Sequence, residues 1–181
     1  TITMKTKLIF TAICFIAFLF TGCEKSNTEL PEDVTSVQKK KPKERPFKSS
    51  GTTYAVGGGE QCINNTGNEG STFEFAGEGK ATHMGNITVT GAHCTFQGCG
   101  DGIFTYVAAN GDELYSAYEA PCTVTQGFPY VTIEDETILV GGTGRFEDAT
   151  GSTYLIIVLN IDPSSPDFLT STWEADGTIC Y

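Results

Sequence analysis

Two histidines, a pair of glutamates, a group of aromatic residues and seven cysteines are the side chains of this 181-residue chain best suited to chemistry. Glu74 and Glu78 fall on one face of an extended run. Two carboxylates in a cleft could act as general acid and base, whereas on an open face they would only be solvated. His83 shares strand parity with Phe73 and Phe75. It could point inward as a proton shuttle, although a histidine bonded to backbone is the plainer expectation. Glu74 and His83 are therefore the catalytic candidates. Tyr106, Tyr115, Tyr118, Tyr130 and Trp173 each offer a flat apolar face with a polar tip. They are the candidate contacts for a small hydrophobic, aromatic or sugar ligand, and they would serve equally well as packed core.

Other chemistries lack their motifs. The acidic clusters Asp112-Glu113, Glu134-Asp135-Glu136 and Glu147-Asp148 do not have the spacing of an EF-hand and suit a solvated surface. No serine sits in a Gly-x-Ser-x-Gly elbow. The run Gly141–Gly144 lacks the Gly-Lys-Ser/Thr ending of a phosphate loop.

The elements that must hold these residues read as short strands. From Thr52 onward, β-branched and aromatic runs alternate with Gly, Asn and Asp turns. Extended segments are expected at 71–81, 86–96, 103–108, 113–119, 130–133, 137–140, 152–161, 168–174 and 178–181. Asn110-Gly111 reads as a type I′ hairpin turn. The run Tyr154-Leu155-Ile156-Ile157-Val158-Leu159 has helical length, but its β-branched residues favour a buried strand. About eight strands at regular spacing give an all-β sandwich or closed barrel. Twenty of the 21 glycines follow residue 49, which favours a barrel because glycine lets strands bend at corners.

Charge divides the chain near residue 49. The whole carries −11, and Lys80 and Arg145 are the only basic residues beyond position 48. Such a surface makes nucleic acid an unsuitable partner. Ahead of the boundary, Met4 reads as the start, followed by Lys5, Lys7 and an apolar run from Leu8 to Phe20. That run has the length of a signal-peptide core and is short for a membrane span. It ends in Phe20-Thr21-Gly22-Cys23, which resembles the lipobox of bacterial lipoproteins, with Phe20 where leucine is usual. The resemblance implies acylation of Cys23, export, and a lipid anchor in the cell envelope, at the outer membrane. Residues 1–22 are then a signal peptide. Residues 23–50, with Pro31, Pro42, Pro46 and a Lys-rich run, are a flexible tether, and residues 51–181 form one domain.

Export changes the reading of the cysteines. With Cys14 removed and Cys23 acylated, Cys62, Cys94, Cys99, Cys122 and Cys180 remain for disulfides in an oxidising compartment. Five cysteines give two bridges and one thiol. Cys99 precedes one hairpin strand and Cys122 follows its partner, so Cys94–Cys122 or Cys99–Cys122 is expected. Barrel closure would bring Cys62 to Cys180. A zinc site drawn from Cys94, Cys99, His83 and His93 is the rival, but it lacks a second CxxC-type pair. Neither metal nor cofactor is expected.

The stretch Gly141-Gly142-Thr143-Gly144-Arg145-Phe146-Glu147-Asp148-Ala149-Thr150-Gly151, followed by the strand at 152–161, resembles an element of the allene oxide cyclase and dirigent-type barrels. It is most similar to their bacterial relatives, the allene oxide cyclase barrel-like domains. Gly79–Gly85 and Ala109–Asp112 add to the likeness, which spans most of residues 71–176. The glycines of that stretch permit a sharp turn that would place Phe146 as a plug at one end of a barrel. The resemblance implies an eight-stranded antiparallel barrel, an interior for a small apolar guest, and assembly into dimers or trimers. Plant members cyclise a fatty-acid epoxide or steer phenoxy-radical coupling, but their catalytic residues do not map onto this chain. Ligand binding or a structural role is therefore the expected function. A cyclase or isomerase and a surface adhesion scaffold with a filled core are the alternatives.

Overall fold

Side chains alternate between inward and outward with period two over most of the strand residues, and the described residues make nine strands. A computed structural model describes residues 43–119 and 121–181. The strands are β1 (Glu44–Ile63), β2 (Glu69–Ala81), β3 (Gly85–Phe96), β4 (Cys99–Ala108), β5 (Glu113–Tyr118), β6 (Thr123–Gly127), β7 (Tyr130–Gly142), β8 (Thr150–Asn160) and β9 (Thr170–Cys180). The proposed signal peptide, Cys23 and the tether up to residue 42 lie outside the described residues.

All pairings are antiparallel. The sheet runs β5-β4-β3-β2-β1-β9-β8-β7, and β5 pairs with β7 to close it. The expected eight-stranded antiparallel barrel is therefore the fold. β6 continues where β5 stops: β5 covers Thr137–Gly142 of β7, and β6 covers Tyr130–Glu134 of it. Asp135 and Glu136 fall in the gap between the two.

The extended segments expected at 130–133 and 137–140 are one strand, β7, and those at 168–174 and 178–181 fall largely in β9. The first described strand begins at Glu44, seven residues ahead of the boundary expected at 51. Pro46, Phe47 and Lys48 are paired with β9, and Phe47 is 1% exposed in the core. The hairpin at Asn110-Gly111 is present, but only Gly111 takes a positive φ there. A type I′ turn needs two such residues. The loop is instead four residues long, with the Asn110 side chain accepting from the Asp112 N–H.

One end of the barrel is shut. A single 3-10 turn, Gly144–Phe146, folds back under β5 and β7, and Phe146 is completely buried there. Its ring meets Tyr181 edge-on at 5.1 Å, and the Arg145 guanidinium lies over the ring, 4.9 Å from its centroid. Phe146 belongs to the same buried cluster as Phe47, Met84, Ile87, Leu114, Ala149 and Ile179. The Gly-rich stretch permits the turn because Gly141 and Gly144 take positive φ. Phe146 thus plugs the barrel as expected.

Two disulfides sit at the opposite end. Cys99–Cys122 ties the start of β4 to the chain between β5 and β6, in agreement with the hairpin argument. Cys62 bonds Cys94, not Cys180. Closure does pair β1 with β9, but Cys180 stands opposite Glu44, at the far end of a 20-residue strand from Cys62. Irregularities at Ala55/Gly57 and Gly58/Gln61 bend the end of β1 across β2, so that Cys62 meets β3. Cys180 is disulfide-bonded as well, so none of these five cysteines is left as the expected thiol. With Cys94 and Cys99 in different disulfides, neither offers a thiolate to a metal.

Candidate functional site

The end of the barrel away from Phe146 holds a cavity of about 310 Å³. Its walls follow from strand parity. Inward positions on β2, β4, β7, β8 and β9 supply Phe73, Phe75, Phe104, Val131, Ile133, Ile157, Leu159 and Trp173. The polar residues Thr53 and Ser171 neutralise each other through a hydroxyl–hydroxyl hydrogen bond of 2.7 Å. The turns at this end carry apolar side chains into solvent, with Ile63, Phe128 and Phe168 all exposed. A cavity this size is at the small end of ligand pockets. Its aromatic and aliphatic lining suits an apolar guest.

One titratable side chain lines it. His93 follows Ile87, Val89 and Gly91 on the inward face of β3. Its ring stacks on Phe73 at 5.3 Å, tilts against Phe75 and meets Tyr118 edge-on. Nδ1 is hydrogen-bonded to the Tyr118 hydroxyl. Burial lowers the His93 pKa to about 4, against a smaller upward pull from Asp101. The imidazole is neutral at physiological pH. Burial, with help from the Asp135 and Asp101 charges, pushes the Tyr118 phenol far up. Asp135, in the unpaired stretch of β7, is itself raised to about 6 by desolvation.

The two catalytic candidates lie elsewhere. Glu74 and Glu78 are both on the outer face of β2. They are four residues apart, about 13 Å along a strand, which is too far to share a proton. Glu74 instead folds over Gly57, where a Cβ would approach its Oε2 to 2.6 Å. His83 is in the β2–β3 turn with φ of 67°. Its Nε2 bonds the Pro46 carbonyl oxygen at 3.0 Å and its ring meets Tyr181, at the plugged end. It does not line this cavity.

The aromatic candidates divide. Trp173 lines the cavity. Tyr118 stands behind His93, and Tyr106 packs deeper, between Phe104, Phe47 and Trp173, with its phenol pushed up to about 12 by burial. Tyr115 is outward and donates to Glu113, and Tyr130 is exposed on the outer face of β7. Neither of these two touches the cavity. His93 was missed as a site residue, although its parity with Ile87 and Val89 marked it as inward.

No family model, curated protein or solved structure matches this chain. The geometry of the cavity is therefore what supports a reading of function.

Proposed function

We propose that this protein is an exported, lipid-anchored barrel that binds a small hydrophobic or aromatic molecule in the cavity at its open end. The observation that carries the reading is the asymmetry of the barrel: one end is filled by Phe146, and the other is left hollow and lined with apolar rings. A filled core, as a pure scaffold would have, leaves no such space. The anchor rests on the lipobox-like Phe20-Thr21-Gly22-Cys23, and the disulfides agree with an oxidising compartment. The likeness to allene oxide cyclase barrel-like domains points to the same kind of guest.

Native mass spectrometry of the protein purified from envelopes tests the binding. An excess mass that disappears on denaturation is the expected result. A native mass equal to the bare chain or a multiple of it, together with no response of the single tryptophan to any apolar probe, would overturn it. Intact mass tests the anchor: Cys23 should carry a thioether-linked diacylglyceryl group. Recovery of Cys23 in a disulfide would remove that part of the proposal.

A second reading, an isomerase or cyclase, draws on the His93–Tyr118 pair at the cavity wall. A base with a pKa of about 4 is poorly matched to proton abstraction near neutrality, so binding is the better-supported reading.

A further inference from the structure

We propose that the cavity selects an uncharged apolar molecule bearing a carbonyl oxygen, which accepts a hydrogen bond from Nε2–H of His93. The inference rests on the binding function proposed above and specifies the class of ligand. It follows from hydrogen-bond accounting. Tyr118 is 7% exposed, and its hydroxyl has no acceptor among the described residues other than Nδ1 of His93. A buried hydroxyl proton without an acceptor is costly, so the phenol donates and Nδ1 accepts. In a neutral imidazole the remaining proton is then on Nε2. Tyr118 is not part of the cavity lining, whereas His93 is. The edge tied to Tyr118 therefore faces away, and the Nε2–H edge is the one left to a guest.

The surroundings fix the sign of the guest. No lysine or arginine lines the cavity. Asp101 acts on His93, and Asp135 and Asp101 both act on Tyr118 beside it, so the local field disfavours an anion. A carbonyl oxygen matches the Nε2–H of His93, where a hydrocarbon would leave that donor unpaired.

The chain contains one tryptophan, and it lines this cavity, so its fluorescence reports on the site alone. The full-length protein would be titrated with 2-decanone, n-decane and decanoate at pH 7.5. The ketone should bind about tenfold more tightly than the alkane, and decanoate more weakly than the ketone. His93→Phe keeps an aromatic ring on Phe73 and removes the donor. In that variant ketone affinity should fall to the alkane's, while alkane affinity, the measure of an intact cavity, holds. Equal binding of ketone and alkane by the parent protein, tightest binding of decanoate, or an unchanged ketone preference in His93→Phe would each overturn the carbonyl inference and leave the binding function standing. No response to any of the three probes would overturn both.

Discussion

The ring of Phe75 lies directly over Gly91, its cross-strand partner, so closely that a Cβ at position 91 would come within 2.2 Å of Cζ. The same Cβ would stand 2.7 Å from the Ile103 carbonyl oxygen on the other side. Glycine here is the floor on which one wall of the cavity rests. Phe75 in turn touches Phe73, His93 and Phe104, so any displacement of it is passed to the whole aromatic group.

Gly91→Ala should therefore cost about 1–3 kcal/mol of stability through overpacking. It should also shift the emission of Trp173, across the same cavity. Urea unfolding followed by fluorescence measures both. A variant with parental midpoint and parental emission would show that the ring has room to move.

The pH dependence of stability should contain two opposing slopes. Between pH 6.5 and about 4 the unfolded chain binds a proton at His93 that the folded chain refuses. This contribution is complete above pH 6.5 and is lost as the pH falls through that window. Asp135 has the opposite sign. Raised from 3.8 to about 6, it holds a proton when folded that the unfolded chain releases, so its effect stabilises as the pH falls from 6 towards 4. Asp101 and Glu136 are the neighbouring charges that modulate the two. Asp135→Asn should expose the His93 slope, a loss of about 3 kcal/mol between pH 6.5 and 4. His93→Phe should remove that slope and, relative to the parent, make the protein more stable on acidification through pH 6 to 4. Unfolding midpoints across this range decide it. A flat profile for Asp135→Asn would contradict a neutral, buried His93.

The Cys99–Cys122 bridge closes a loop with a sequence separation of 23 and pins the chain between β5 and β6. Replacing both residues by serine should cost about 3 kcal/mol. Because Gly98, beside Cys99, lines the cavity and packs on Val124 of β6, the loss should also loosen the mouth. Amide hydrogen exchange should accelerate first in β6 and in the β3–β4 turn. Uniform acceleration over all nine strands would mean that the bridge supports the whole fold instead.

Much of the barrel was legible because its strands obey simple alternation. In β2, Phe73 and Phe75 face in while Glu74 faces out, and in β8 the β-branched run outweighs its helical length. The beginning of β1 was not legible for a physical reason. Its inward residues after Phe47 are Ser49, Gly51 and Thr53, small side chains that make room for large ones opposite. A Cβ on Gly51 would lie only 3.0 Å from the Trp173 ring. A strand of small inward residues among Lys, Arg and Pro carries the composition of a linker. β6 is five residues long with one apolar side chain, Val124, and gives no periodic signal. The disulfide from Cys62 depended on where β1 bends, which spacing alone does not reveal. At the site, Trp173 is the one of the five aromatic candidates that lines the cavity, and His93, which lines it too, had its parity written in the sequence but none of the motif context that drew attention to His83.

The first described strand starts at Glu44, beside Cys180, on the side of the barrel that Phe146 fills. The described residues thus form a cup whose first strand enters at the base, while the brim at the other end carries Ile63, Phe128 and Phe168 into solvent. The point where the chain joins the barrel and the mouth of its hollow are thereby kept at opposite ends of the fold.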